Sequence, residues 1–224
     1  MDQVLYLAFA VAHAGLLIGG VALTVRRGRP TASHLYLLVL LGLLYDNAVI
    51  GAGAMIGDGP LLLGLSVPRY WLHAFLTPLL VPVAWHVIVR TGARWASSTI
   101  ARVVTGLVTV ALVGYEVVVG AIGMHLVPQW EFGVLRYTNE NTPPGPPLMV
   151  LVVAAALLVA GIVALKRDRW PWLLVGTVVM VIGSAVPIPV PSGAATNTFE
   201  LILLITVLAT VVHQDRCERA APRR

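Results

Sequence analysis

The chain has 224 residues, of which 58% are hydrophobic and only 11% are charged, whereas a typical globular domain carries about 25% charged residues. A water-soluble fold of this size cannot hide that much apolar surface, so the composition excludes a soluble domain and predicts an integral membrane protein. The net charge of +5 is attributed to membrane topology and contact with anionic cytoplasmic lipid, and nucleic-acid binding is not expected.

Seven apolar stretches have about the length that a membrane helix needs, which is roughly 20 residues. Helices are expected because lipid offers no partner for the backbone groups of an open strand. The predicted spans cover residues 3–25, 34–55, 70–89, 100–124, 147–165, 171–186 and 197–212. The predicted fold class is therefore all-α, a single domain of residues 1–224 that forms a bundle of seven transmembrane helices.

The basic residues predict the orientation of this bundle. Thirteen of the 15 basic residues follow spans one, three, five and seven, which leaves only Arg69 and Arg136 on the opposite side. The positive-inside rule then places the N-terminus outside and the C-terminus in the cytoplasm of a cell membrane. The first span lacks a basic segment before it, so we expect a retained span and no cleaved signal peptide.

The breaks between spans suggest further structure on the outer side. Residues 126–146 form a polar, aromatic loop that includes Trp130 and ends in a stiff proline run, so we expect it to cover an outward-facing cavity. Residues 187–196 alternate prolines and should be extended and irregular. Pro78 and Pro82 predict a kink in span three.

Three acids fall inside predicted spans, namely Asp46, Glu116 and Glu200. Ionisable residues within the membrane are expensive and mark functional sites by default. No Lys or Arg lies deep in any predicted span, so the acids are not all expected to be ion-paired. At least one should be a neutral carboxylic acid that can donate a proton.

Depth places several other polar residues beside these acids. A rise of about 1.5 Å per residue puts Asp46 near mid-membrane and Glu116, Glu200 and His73 in the outer half. Aromatic and amide side chains at similar depth, with Trp130 from the loop, are candidate substrate contacts: Tyr45, Asn47, Trp71, Tyr115, Trp130 and Asn197. We expect these groups to line one cavity in the outer half.

Structural explanations compete for the same residues. Asp46 with Asn47 or Tyr45 is compatible with a hydrogen bond that joins two helices. Asn197 followed by Glu200 three residues later matches a capping box, in which the acid satisfies backbone N–H groups.

Missing motifs narrow the function. The only lysine, Lys166, lies in a predicted loop, whereas a retinal protein of the microbial rhodopsin type needs a lysine in its last helix. No two acids are close enough in sequence to hold magnesium and diphosphate, and His73 and His125 alone make a weak case for a zinc hydrolase. We therefore expect no metal site and no cofactor.

A small seven-helix protein with an acid in an early span, Asp46, and one in the final span, Glu200, resembles the small integral-membrane terpene cyclases of fungal meroterpenoid and bacterial drimentine-type indole sesquiterpene pathways. The resemblance implies an enzyme that protonates an alkene or epoxide of a lipophilic, prenylated substrate and directs carbocation ring closure. Asp46 or Glu200 would be the acid, and a second carboxylate or His73 would accept the final proton.

Two other functional classes remain open from the sequence. A proton-coupled transporter or lipid flippase would use Asp46, Glu116, His73 and Glu200 as a proton relay. A non-catalytic lipid-binding protein or membrane partner is the third possibility. A transporter needs a polar path through the inner half, where the spans are almost wholly aliphatic apart from His86.

Overall fold

The computed structural model describes residues 1–141, 147–185 and 192–220. Its described part is mostly helical, with helices α1 to α8 and one two-stranded sheet. The proline run at 143–146, the prolines at 187, 189 and 191 and the last four residues, all of which entered the sequence predictions, lie outside the described residues.

Six helical stretches are long and apolar enough to cross a membrane. They are α1 (Asp2–Arg27), α2 (Tyr36–Ile56) with the short 3₁₀ turn Ala32–Leu35 before it, α3 (Pro60–Leu76) joined to α4 (Leu80–Arg90), α5 (Thr99–Glu116) with the π-helical turn Val117–Ala121 after it, α6 (Leu148–Asp168) and α8 (Ala195–Ala220). Helix α7 (Trp172–Ala185) has 14 residues and spans only about 21 Å at 1.5 Å per residue, against a hydrocarbon core of about 30 Å.

The third membrane stretch differs from its prediction at both its start and its middle. Helix α3 begins at Pro60, ten residues before the predicted start, because Gly59 lets the chain turn and Pro60 occupies the first helical position. Pro68 lies inside α3. The 3₁₀ turn Thr77–Leu79 separates α3 from α4 and contains Pro78, one of the two prolines from which a kink was predicted.

A β-hairpin occupies most of the segment 126–146, which the sequence predicted to be a polar, aromatic outer loop. Strands β1 (Leu126–Glu131) and β2 (Val134–Asn139) pair antiparallel through a two-residue turn, Phe132 and Gly133. Both turn residues have positive φ, 49° and 82°, as a tight turn that matches the twist of the strands requires. The all-α prediction holds for the bundle and misses this hairpin.

The hairpin packs against residues of α1, α2 and α3. Val134 contacts the cluster of Tyr6, Ile50 and Ala194, while Leu135 packs among residues of α2 and α3. Gly53 of α2 lies so close to the Leu135 carbonyl that a Cβ there would collide with it. The hairpin therefore forms a roof over α2 and α3.

The core of the bundle lies between α2, α4, α6 and α8, where Leu40, Val83, Leu157 and Leu204 are almost fully buried. Helix α7 lies close to α8 because Gly176 has no side chain; a Cβ there would collide with Thr206 of α8. Small residues allow such close packing of membrane helices. Helix α5 is peripheral, with only 6% of its apolar window buried.

Candidate functional site

An ion pair links the middle of α2 to α3. Arg69 Nε donates to Asp46 Oδ1 at 2.8 Å. Asp46 lies ten residues from the C-terminal end of α2, about 15 Å along the helix axis. The expectation that no basic side chain lies deep in a span is therefore wrong, because the predicted third span began one residue after Arg69. Asp46 has a cation beside it and is not an unpaired acid.

The same turn of α3 holds the hairpin. The Tyr137 carbonyl of β2 accepts hydrogen bonds from Arg69 Nη1 at 3.4 Å and from the Tyr70 hydroxyl at 3.2 Å. The Asn139 N–H donates back to the Tyr70 hydroxyl at 3.0 Å. Arg69 thus connects the Asp46 carboxylate to the roof of the molecule.

A cavity of about 250 Å³ opens between α2, α3 and the start of α8. We call it the polar chamber, because seven of its lining residues carry polar groups: Asp46, Arg69, Tyr70, His73, Thr77, Asn197 and Glu200. Four residues proposed from their depth in the sequence therefore line one cavity, namely Asp46, His73, Asn197 and Glu200.

A second cavity of about 80 Å³ continues from the first toward α4, α6 and α7. We call it the apolar chamber, since it is lined largely by aliphatic side chains such as Val153, Leu157 and Met180. His73, Thr77 and Glu200 line both chambers. These three side chains therefore mark the junction of a polar space and an apolar space.

Glu200 has no neutralising partner among the described residues. Among the residues that the structure describes, its carboxyl group makes no hydrogen bond and no ion pair. The capping-box interpretation is wrong, because α8 begins at Ala195, two residues before Asn197. Glu200 lies on the second turn of the helix and lines the cavity.

Asn197 instead joins two helices. Its Nδ2 donates to Asn47 Oδ1 at 2.8 Å, and Asn47 Nδ2 donates to the Leu43 carbonyl at 2.8 Å. Asn47 is fully buried. This buried amide pair fixes α8 against α2 and so sets the position of Glu200 relative to Asp46.

His73 is held by its neighbour one turn later, since its Nδ1 lies 3.3 Å from the Thr77 hydroxyl. Either atom can be the donor, because the tautomer decides which nitrogen carries the proton. The other imidazole nitrogen, Nε2, has no partner within the described ranges. His73 can therefore accept or release a proton at the junction of the chambers.

Six of the residues proposed from sequence line neither chamber. Besides Asn47, Tyr45 donates its hydroxyl to the Leu65 carbonyl, and Trp71 stacks on Phe75. Trp130 lies on β1 and is 64% exposed. Tyr115 and Glu116 lie at the C-terminal end of peripheral α5. Sequence reasoning missed Arg69, Tyr70 and Thr77 as lining residues. A third span that began earlier would have included Arg69, whereas Tyr70 and Thr77 already lay within the predicted span.

The opposite end of the bundle carries a dense ionic cluster. Arg27 and Arg90 both bind Asp215 and Glu218, with Arg27–Glu218 at 2.6 Å, Arg90–Asp215 at 2.5 Å and Arg90–Glu218 at 2.7 Å. His34 Nε2 lies 3.7 Å from Asp215. Helices α1, α4 and α8 are thus joined at this end by paired charges.

No protein-family model matches this chain, and no curated protein and no solved structure matches it either. The function is therefore argued from the geometry of the chambers alone.

Proposed function

We propose that this protein is a membrane-embedded terpene cyclase, which protonates an alkene or epoxide of a lipophilic, prenylated substrate and directs carbocation ring closure. The observation that carries the proposal is the unpaired Glu200 carboxyl at the junction of the polar and apolar chambers. An acid without a cation in such surroundings favours its neutral form. It therefore carries the proton that starts the reaction.

Asp46 takes a different role from the one the sequence suggested. Arg69 donates to Oδ1, so we assign Asp46 the role of a hydrogen-bond acceptor and not that of the proton donor. Its Oδ2 accepts no hydrogen bond from the described residues, and Asp46 lines the polar chamber. We assign this oxygen to bind an O–H or N–H group on the polar head of the substrate.

The proposed reaction balances as an isomerisation for an alkene substrate. Glu200 gives its proton to one alkene carbon, the resulting cation is attacked by an internal double bond, and a ring C–C bond forms. His73 then accepts the proton that a neighbouring carbon releases, which restores a double bond. The Tyr70 ring and the Asp46 charge favour a cation in the chamber. No cofactor takes part.

The proposal favours an enzyme over a proton-coupled transporter. The apolar chamber is bounded by Leu80, Leu157, Leu203 and Leu204, and beyond them the described part of the chain has paired charges at the far end of the bundle. A proton relay needs polar groups along this route. The largely aliphatic lining of this chamber instead limits the contact of a carbocation with water.

The proposed setting is a cell membrane, with α7 as a short seventh span, the N-terminus outside and the C-terminus in the cytoplasm. The basic residues at the ends of α1, α4, α6 and α8 support this orientation. The partners are the lipid bilayer and the lipophilic substrate. A reporter fused after Arg224 should be active only in the cytoplasm, and activity outside would contradict this topology.

The test of the chemistry compares two acids. Glu200→Gln keeps the shape and most of the hydrogen-bonding capacity of the side chain but removes the transferable proton. Membranes containing the variant should lose cyclisation of a prenylated indole by about 10²- to 10⁴-fold, the usual contribution of general acid catalysis. Glu116→Gln is the matched control, because Glu116 lines neither chamber, and it should retain activity.

Deuterium oxide separates proton initiation from other routes to the ring. The wild type should place one deuterium in each product molecule, since the carboxyl group exchanges with solvent between turnovers. A cyclic product without deuterium would contradict proton initiation. Full activity in Glu200→Gln would remove Glu200 from the mechanism.

A further inference from the structure

An apolar groove outside the two chambers opens between α4, α5 and α6. It has a volume of about 380 Å³, and its lining includes Val81, Trp85, Trp95, Val104 and Val159. Polar atoms contribute little to its surface. The groove has the surface chemistry that suits a hydrocarbon chain.

The groove extends from one end of the bundle along three helices. Its residues on α5 run from Ala101 to Val108, and α5 begins at Thr99, so they lie about 3–14 Å from the helix end at 1.5 Å per residue. Its residues on α6 run from Val152 to Val159, about 14–24 Å from the end of that helix at Asp168. Since half of the hydrocarbon core is about 15 Å thick, the groove is long enough for an acyl chain.

Two exposed arginines are next in sequence to residues that line this groove. Arg94 precedes the lining residue Trp95, and Arg102 follows the lining residue Ala101. Both arginines are exposed, and neither makes a hydrogen bond or ion pair through its side chain with the residues that the structure describes. Arg90, by contrast, is neutralised by Asp215 and Glu218.

The mouth is preformed by contacts within the chain. The Trp85 indole N–H donates to the Ala96 carbonyl at 2.9 Å, and Arg167 Nη1 donates to the Gly92 carbonyl at 3.2 Å. Ala96 is fully buried. The segment that carries Arg94 is therefore anchored on both α4 and α6, and a ligand there does not have to order it.

We propose that this groove binds an anionic phospholipid, with one acyl chain between α4, α5 and α6 and the phosphate held by Arg94 and Arg102. Guanidinium groups bind phosphate oxygens strongly and directionally, and basic pockets between membrane helices bind acidic headgroups. Trp95, which is 56% exposed, lies at the level where indole rings prefer the interface. The site is separate from the chambers and does not depend on the proposed reaction.

The experiment measures lipid retention by the purified full chain in an uncharged detergent. Native mass spectrometry compares phosphatidylglycerol with phosphatidylcholine of the same acyl chains. The wild type should retain one phosphatidylglycerol in preference to phosphatidylcholine. Arg94→Gln with Arg102→Gln should weaken phosphatidylglycerol binding roughly 30-fold, or roughly 5-fold for each arginine, as expected for basic residues near a membrane surface.

The matched control is Arg26→Gln with Arg29→Gln, which changes the charge equally at exposed arginines of the same end but away from the groove. It should leave the preference intact. Ala155→Phe, which fills the groove from α6, should lower the binding of both lipids. Equal retention of the two lipids by the wild type, or equal loss of preference in the control, would overturn the proposal. Stabilisation by glycerol phosphate alone to the same extent would identify a phosphate site without a lipid chain, which also overturns it.

Discussion

Two pairs of acids in this bundle have different electrostatic surroundings. In the ionic cluster that joins α1, α4 and α8, Asp215 and Glu218 share two arginines, so each carboxylate has two cationic partners. In the polar chamber, Asp46 pairs with one arginine, and Glu200 has no cationic partner among the described residues. Ionisable groups inside a membrane mark candidate functional sites. The ionic cluster therefore joins helices, whereas the chamber acids are the ones that the proposed function uses.

The ionic cluster also changes how the basic residues at its end of the bundle are interpreted. Two of its basic residues, Arg27 and Arg90, neutralise acids of α8. Arg94 and Arg102 are left for lipid. The basic side of the protein thus consists of an internal part that joins helices and an external part that faces the membrane surface.

The largest expected effect on the free energy of unfolding comes from removing an acid of the ionic cluster. Asp215 has only 4% of its side chain exposed and lies between two arginines. Asp215→Asn leaves buried positive charge without compensation, so the free energy of unfolding should fall by about 3–5 kcal/mol. Reversible unfolding in mixed micelles measures it. Glu218→Gln is the control, since Glu218 is 47% exposed and should cost at most about 1 kcal/mol.

The ion pair in the polar chamber should respond less strongly. Arg69→Gln leaves the Asp46 carboxylate unpaired and removes a link to β2, which should cost about 1–3 kcal/mol. Adding Asp46→Asn removes the stranded charge, so the double variant should be more stable than the sum of the single effects predicts. Strict additivity of the two substitutions would contradict a direct pair.

Span lengths could be predicted because each is a local property of the sequence. Most predicted spans overlap their helices, but the third failed at its start because the Pro68–Arg69 pair was interpreted as a break. An arginine in a membrane helix is acceptable only with a partner, and that partner, Asp46, lies 23 residues away in sequence. The hairpin had a local signal in Phe132 and Gly133 between two strand-like runs, which a purely helical interpretation passed over.

Only the depth of the candidate site along the helices could be predicted from the sequence. Counting along the helices identified His73 and also Trp71, but depth says nothing about the direction in which a side chain points. Positions two residues apart in sequence are separated by about 200° around the helix axis. His73 therefore lines the chambers, while Trp71 stacks on Phe75. The packing of helices against one another depends on the tertiary structure. It places Glu200 in the chambers and leaves Glu116 outside them.

A smaller effect should come from the amide pair that holds Glu200 in place. Asn47→Leu and Asn197→Leu each remove one side of the buried hydrogen bond. Hydrogen bonds between membrane helices contribute about 0.6 kcal/mol on average and up to about 1.7 kcal/mol, so a double-mutant cycle on unfolding should give a coupling in that range. A coupling of zero would contradict the contact between α2 and α8.

The smallest effect concerns the roof, outside the membrane-spanning segments. The Tyr137 hydroxyl donates to Asp58 Oδ1 at 2.5 Å, and this hydrogen bond to a carboxylate raises the pKa of Tyr137 above its ordinary value of 10.0. The folded protein therefore holds this proton more tightly than the unfolded chain. The stabilisation is fully present below the ordinary pKa and is lost as the pH rises through the raised one.

Absorbance of phenolate during an alkaline titration tests this link. The difference between the wild type and Tyr137→Phe isolates one of the 6 tyrosines, and its titration should lie above that of a free phenol. Asp58→Asn removes the negative acceptor, so the pKa of Tyr137 should move down toward the ordinary value, because a neutral amide does not penalise phenolate as a carboxylate does. An unchanged titration in Asp58→Asn would show that Tyr137 is not bound there. The described hydrogen bonds between the hairpin and α3 would then be those made by Arg69 and Tyr70.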